Sequence, residues 1–299
     1  MKVMERLKMR KRNLNFLFII PALILYIFFV IYPAVNSIRL SFFKWDGLSQ
    51  NMTFVGLKNY ITMFTNDRIF LISLKNSIVW SCLIIIIPTF LGLIIAYVIY
   101  SRVFAGNLHR FIILFPFLIS NVAVGLIWKW MYNPDLGTIN TFLNKINLEI
   151  FTKDWLGDTN LVVFSLIIAN IWQLTGLTMI IFYAGMQSIP GEIYEAARVD
   201  GASPFRIFKN ITIPLLKEIM IIVVILMATA SWKVFDIVWV VTRGGPANRS
   251  QVVGSWMFIS AFRSYKHGYA SAIAVLIFLI IIIPSFLYIK LLTRKETEF

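Results

Sequence analysis

The sequence predicts an all-α, polytopic integral membrane protein with six transmembrane helices. Of 299 residues, 59% are hydrophobic and only 14% are charged, with 26 Phe and 9 Trp, so the solvent for most of the chain is lipid. Uncharged stretches recur at Asn13 to Ile38, Asn76 to Ser101, Phe111 to Trp128, Thr159 to Gly191, Ile219 to Trp232 and Gly268 to Ile289. With the fifth continued through Lys233 and Asp236 to about Val241, each is long enough for a helix crossing about 30 Å of hydrocarbon. Alternating the loops from an inside N-terminus puts 15 Lys and Arg in 64 inner positions and 11 in 97 outer ones. That twofold bias is the one expected of cytoplasmic loops.

The first span follows Lys2, Arg6, Lys8, Arg10, Lys11 and Arg12. Its apolar run exceeds the core of a signal peptide, Pro21 and Pro33 punctuate it, and no small-x-small cleavage site follows, which predicts an uncleaved anchor. The organisation expected is a basic cytoplasmic N-terminus over 1–13, one membrane domain over 14–291 with a cytoplasmic loop at 187–217, and a cytoplasmic tail over 292–299. The net charge of +14 is spread through the loops and clusters only at the N-terminus, which points to topology and anionic-lipid contact and away from nucleic acid. In the first outer loop Val55, Leu57, Tyr60, Met63 and Phe64 keep helical spacing, and Leu136, Ile139, Phe142, Leu143 and Ile146 repeat it in the second. Trp45, Trp128, Trp130, Tyr132, Trp155 and Trp239 fall where spans leave the lipid. Pro21, Pro88 and Pro284 predict kinks. Cys82, the one cysteine, has no partner for a disulfide and is expected to pack within its span.

The inner loop at 187–217 carries the most information. Pro190 suits a first helical turn and Glu192 the positive end of its dipole, so a helix is predicted through Glu195, Ala196 and Ala197. Asp200-Gly201 is a turn signal, and Ser203-Pro204 restarts a helix as cap and first position. Phe205, Phe208 and Ile211 then share a face until Pro214 ends the segment. Small Ala196 and Ala197 beside acidic Glu195 leave a surface on which another protein can dock closely; the alternative is a loop that only joins two spans and packs on the bundle.

The loop's pattern, Glu195-Ala196-Ala197, Gly201, Ile211 and Ile213-Pro214, resembles the signature of permease subunits of binding-protein-dependent ABC importers, with Ile213 in place of the usual Leu. Thr242-Arg243-Gly244-Gly245-Pro246 after the fifth span, Phe54-Val55-Gly56-Leu57-Lys58-Asn59-Tyr60 in the first outer loop, and Asp200-Gly201-Ala202 are similar to segments of the sugar branch, that of the maltose and glycerol-3-phosphate permeases. The resemblance implies a type I ABC importer permease fold. It also implies a coupling loop, Glu195, Ala196, Ala197, Asp200, Gly201 and Ala202, that docks on an ATPase, and an outer-face motif of Thr242, Gly244, Gly245 and Pro246. The partners implied are a second permease like the smaller membrane subunit of the maltose transporter, two ATPase subunits, an extracytoplasmic solute-binding protein and a sugar. The tail, lacking a glycine-rich end, suggests the first of two unlike permeases in a bacterial plasma membrane, with both termini cytoplasmic.

No Gly-x4-Gly-Lys-Ser/Thr phosphate loop occurs, so no cofactor is expected in this chain, and ATP and magnesium belong to the partner ATPase. No catalytic residue is proposed, nor a metal site, since His109 and His267 lie in opposite loops without ligand-spaced partners. Asn170, Trp172 and Gln173 in the fourth span, with Ser231 and Trp232 in the fifth, are candidates for the substrate pathway. Amides bond sugar hydroxyls and aromatic faces meet sugar rings, although the same amides can instead join helix to helix. Lys233 and Asp236, at i and i+3, are read either as cavity-lining charges or as a self-satisfied pair. A glycerol-3-phosphate type solute is the alternative within the family. An ion-coupled secondary transporter is the alternative outside it, and it would require broken helices near the midplane, of which the sequence gives no sign. A membrane enzyme would need a nucleophile-base or metal constellation.

Overall fold

The computed structural model describes residues 19–102 and 106–293. The chain divides into two units, one of residues 1–63 with 257–276 and one of 64–256 with 277–299. The predicted N-terminal basic cluster and the last tail residues lie outside the described residues.

In the first unit the span α1, Ile19–Leu40, has none of its apolar window buried, as a surface meant for lipid or another subunit requires. A two-stranded hairpin follows, β1 (Phe43–Lys44) antiparallel to β2 (Thr53–Phe54), then α2 (Lys58–Thr65). The sequence reading anticipates α2 but not the hairpin, whose strands are only two residues long. The outer-loop motif explains itself here. Asn59 Nδ2 donates to the Ser41 and Phe43 carbonyls at 2.8 and 3.0 Å, and the Tyr60 hydroxyl donates to Ser41 Oγ at 2.8 Å, so the motif pins α2 under the end of α1.

The second unit is built on α3 (Arg68–Arg102), which begins eight residues before the predicted span because the Asp67 carboxylate accepts from Phe70 N–H at 2.8 Å and caps it. Its principal neighbour is α7 (Val162–Gln187), whose apolar residues run all round the helix, as befits one enclosed by protein. The two approach at Gly92, where a Cβ would overlap Thr178 Oγ1 and lie 2.7 Å from Met179 N. Thr178 Oγ1 in turn donates to the Pro88 carbonyl at 2.6 Å, so the prolines and glycines of these spans mark close helix contacts rather than flexible points. Gly176 plays the same part on the other face, against the backbone at Ile113 and Leu114. Cys82 is exposed on α3 and does not pack, contrary to the sequence expectation.

Among the described residues five helices are long and apolar enough to cross a membrane: α1, α3, α7, the pair α10–α11 described next, and α13 (His267–Thr293). The predicted third span is instead two helices, α4 (Gly106–Leu118) and α5 (Asn121–Met131), bent by 95°. Counted as one, the pair completes six. Ser120 makes the bend, because its side chain accepts from Ala123 N–H at 3.3 Å and starts a new helix inside the apolar run. The fifth span also breaks: α10 (Lys217–Trp232) ends and α11 (Asp236–Val241) begins after Lys233, Val234 and Phe235. Broken helices, which the sequence gives no sign of, are therefore present twice. Between the spans lie α6 (Thr138–Lys145) in the second outer loop, α8 (Gly191–Val199) and α9 (Pro204–Ile207) in the 187–217 loop, and α12 (Val253–Phe262).

Candidate functional site

The 187–217 loop folds as a helix, a turn and a second short helix. Glu192 lies in the first turn of α8, with Pro190 at its cap position. At the other end Gly201 N–H donates to the Arg198 carbonyl at 3.1 Å and Ala202 N–H to the Ala197 carbonyl at 2.9 Å. This double closure is the Schellman motif, and it needs a left-handed residue, which Gly201 supplies at φ 74°. The spacing from Ala197 to Gly201 and Ala202 in the sequence motif is thus the spacing of a helix stop. Ser203 then caps α9, accepting from Arg206 N–H at 3.3 Å with Pro204 in the first turn.

Two stripes divide α8. Tyr194 and Ala197 are buried against the bundle, where the Tyr194 hydroxyl lies 3.4 Å from Thr212 Oγ1 and its ring 5.8 Å from that of Tyr100. Burial pushes the Tyr194 phenol above its usual pKa, so it stays protonated and available as a donor. Tyr97, near the end of α3, holds α9 by donating to the Pro204 carbonyl at 2.8 Å and packing its ring 4.5 Å from Phe208. On the opposite stripe Glu192, Glu195, Ala196 and Val199 are exposed, Val199 by 87%. Phe205 is 72% exposed, so it does not share the inward face of Phe208 and Ile211 that helical spacing implies. The π-helical turn Phe208–Thr212 changes the periodicity just after it, and Pro214 sits within the short helix Ile213–Leu215 instead of ending the segment.

A second polar cluster forms where the two broken helices meet. Asn121, the first residue of α5, donates from Nδ2 to Asp236 Oδ2 at 2.9 Å, and Asp236 is the first residue of α11. Gln173 of α7 reaches the same point, donating to Asn121 Oδ1 at 2.9 Å and to the Ile119 carbonyl at 3.3 Å. These residues, with Asn170, Lys233 and Phe235, line a cavity of about 240 Å³. Asn170 Oδ1 accepts from the buried Trp80 indole at 3.1 Å, which leaves its amide nitrogen for the cavity side.

Of the five pathway candidates, the structure brings Asn170 and Gln173 together. Ser231 is fully buried and donates to Ser81 Oγ at 2.9 Å, a helix-to-helix bond, and Trp232 is buried without lining the cavity. Trp172 packs edge-on against Trp128 at 5.8 Å. Lys233 and Asp236 line the cavity from either side of the break, and Asp236 bonds Asn121 rather than Lys233. Sequence reasoning missed Asn121; the signal was the polar pair Ser120-Asn121 interrupting an apolar run four residues after Pro116.

The outer motif is a self-bonded knot. Thr242 Oγ1 and Ser250 Oγ are hydrogen-bonded at 2.7 Å, Thr242 Oγ1 accepts from Gly244 N–H at 3.2 Å, and Ser250 Oγ donates to the Gly245 carbonyl. Gly244 has φ 87°, a Cβ there would overlap the Gln251 amide, and the Gly245–Pro246 bond is cis. The knot is tied to α3 by Asn76, whose amide donates to the Arg249 and Gln251 carbonyls at 2.7 and 2.8 Å.

The profile of the binding-protein-dependent transport system inner membrane components matches residues 88–297, which takes in the loop, both breaks and the knot. The chain belongs to that family. It is 35% identical over 291 residues to the probable ABC transporter permease protein YurN of Bacillus subtilis, covering 97% of this chain and 99% of that one. The trehalose/maltose transport system permease protein MalF of Thermococcus litoralis is 32% identical, with 96% of each chain covered. Among solved structures, a bacterial ABC transporter involved in import of the acidic polysaccharide alginate superposes with a TM-score of 0.83 at 19% identity, over 96% of this chain and 97% of that one. A bacterial alginate ABC transporter in complex with alginate pentasaccharide-bound periplasmic protein gives the same score at the same identity. The fold is that of an ABC importer permease, and the chain is a non-catalytic, integral membrane transport subunit.

Proposed function

We propose that this chain is one of two unlike permeases forming the membrane pathway of a sugar importer. The observation that carries the reading is the division of α8 into a stripe locked to the bundle and a stripe of Glu192, Glu195, Ala196 and Val199 open to a partner. A soluble ATPase that moves this helix moves α3 and α9 with it, through Tyr97 and Tyr194. Two ATPase subunits supply the hydrolysis, with ATP and magnesium bound on them. The coupling face is formed by Glu195 and Ala196, held in position by the stop at Ala197, Asp200, Gly201 and Ala202. An extracytoplasmic binding protein delivers the solute to the face carrying the Thr242, Gly244, Gly245 and Pro246 knot, and alternating exposure of the pathway follows. The loop and both termini lie on the cytoplasmic side of a bacterial plasma membrane.

The solute passes the cavity where the broken helices meet. Asn121, Asn170, Gln173 and Asp236 offer amides and a carboxylate, and Phe117 and Phe235 offer ring faces, a mixture suited to a neutral sugar. The relative from Thermococcus litoralis, described as a trehalose/maltose permease, supports that class. Lys233 on the same cavity favours a second reading, an anionic solute of the glycerol-3-phosphate type.

The test is purification of the tagged chain from its membrane in mild detergent, identification of co-purifying chains, and an ATPase assay with the binding protein and a panel of sugars and sugar phosphates. Recovery of a second permease and an ATPase stimulated by one neutral sugar is the expected result. Stimulation only by a phosphorylated solute selects the second reading. Uptake by the chain alone, dependent on an ion gradient, overturns both.

A further inference from the structure

Behind the coupling helix lies a cavity of about 460 Å³ that the transport pathway does not use. Its walls are the last turn of α3, with Tyr97 and Tyr100, and the inner side of the α8 turn and α9, with Tyr194, Arg198, Gly201 and Ile207. The volume falls in the range of small-ligand sites. Among the described residues no Asp or Glu lines it.

Two polar groups in it have no protein partner among the described residues, the exposed Arg198 and the half-buried Tyr100. Among the described residues the Arg198 guanidinium has no ion pair or hydrogen bond, and the Tyr100 hydroxyl has no partner, whereas Tyr97 and Tyr194 are engaged with Pro204 and Thr212. Arg198 lies with Tyr194, Ala197 and Gly201 on the side of α8 that faces the cavity, away from the docking stripe of Glu192, Glu195, Ala196 and Val199. An arginine fork with a phenol donor, and no carboxylate among the described lining residues, is a set of donors for a phosphate. The α3 wall also fixes the depth. The apolar run of that span ends at Ile99, and Tyr97, Tyr100 and Ser101 fall within its last two turns, the kind of position at which a span's aromatic residues meet lipid headgroups.

We propose that this cavity binds a phosphate group, held by Arg198 and Tyr100 between the end of α3 and the coupling helix. The nearest source is the phosphodiester of an anionic inner-leaflet lipid; a soluble phosphate ester carries the same chemistry. The inference rests on the coupling reading of the 187–217 loop for its side of the membrane and for its effect, which is to brace the coupling helix against the span it moves.

The experiment uses the assembled transporter. The complex is equilibrated with mixed phosphatidylcholine and phosphatidylglycerol micelles, and retained lipid is counted by native mass spectrometry. In parallel, glycerol 1-phosphate, the soluble head, is titrated by thermal shift. A basic group near an anionic surface contributes about 1 kcal/mol, so R198Q is expected to retain about fivefold less phosphatidylglycerol than the parent, with phosphatidylcholine unchanged. R198K keeps the charge and most of the binding, and Y100F, which removes a hydroxyl alone, loses about threefold by a lost hydrogen bond. If glycerol 1-phosphate shifts the parent but not R198Q while lipid retention is equal, the phosphate site stands with a soluble ligand. Equal retention and equal shifts in parent, R198Q and Y100F overturn it. The ATPase subunits in the same spectra separate the two readings: their presence with unchanged lipid sinks the phosphate site alone, whereas a complex that never contains an ATPase sinks the coupling reading.

Discussion

Gly201 allows the coupling loop to be tested by backbone strain alone. Its φ of 74° closes the stop of α8, and a Cβ built there meets nothing within 4 Å, so a side chain is opposed by conformation and not by neighbours within the chain. An L-residue in this region costs about 1–2 kcal/mol, Asn about half of that because its short amide tolerates the left-handed form, and a β-branched residue the most. If the docking-competent loop competes with other conformers, its equilibrium ratio to them falls about 5-fold for Gly201→Ala and about 30-fold for Gly201→Val, with Gly201→Asn near twofold. Binding-protein-stimulated ATPase activity and solute uptake in the reconstituted complex should follow the order Gly, Asn, Ala, Val, with insertion and assembly unchanged. Wild-type coupling in Gly201→Val would refute the argument. So would an Asn variant as poor as Val, since that ordering would mean that a partner rejects any side chain and that the turn conformation is not what matters.

The contact of α3 with α7 makes Gly92→Ala destabilising by about 2–3 kcal/mol, from overpacking against Thr178 and Met179 N, read as a lower melting temperature in detergent. Thr178→Val, which loses the interhelical bond to the Pro88 carbonyl and the local one to the Thr175 carbonyl but no packing volume, should cost about 0.6 kcal/mol for the interhelical bond, and equal losses in the two variants would contradict the packing account. Asn121→Ala and Asp236→Ala should be non-additive by about 0.5–1 kcal/mol in the same assay because they share one hydrogen bond; strict additivity would show that the two breaks are not joined. Ser250→Ala removes bonds to Thr242 and the Gly245 carbonyl, so the 242–251 loop should be cleaved by added protease about tenfold faster, and an unchanged rate would show that the knot is held elsewhere.

How much was legible in the sequence depended on the range of the forces involved. Spans, caps and turns are local: Asp200-Gly201 and Ser203-Pro204 form a Schellman stop and a capped restart, because the hydrogen bonds that make them lie within six residues. The start of α3 was obscured by Arg68 and Lys75, charges that hydropathy reads as the end of a membrane segment, whereas the Asp67 cap sets it. The breaks at Ser120 and at Lys233 were illegible as breaks because the partners that make them tolerable, Asp236 for Asn121 and Gln173 for the Ile119 carbonyl, are 115 and 54 residues away. For the same reason Ser231 and Asn170 looked alike in sequence, yet one is consumed by Ser81 and the other lines a cavity. The outer motif was visible as a string of residues, but its closure through Ser250 was not.

The carbonyl freed at the α4–α5 bend is already answered by a side chain. A joint in hydrocarbon is costly when bending strips a peptide group of its partner, since lipid offers no replacement. Here Gln173 follows the Ile119 carbonyl with a long, rotatable amide, and Asn121 follows Asp236 in the same manner. Changing the 95° angle therefore spends side-chain torsion, which is cheap, and spares main-chain hydrogen bonds, which are not. A change of angle at this joint would be met by the rotamers of two amide side chains, with the main-chain bonds of each half-helix left intact.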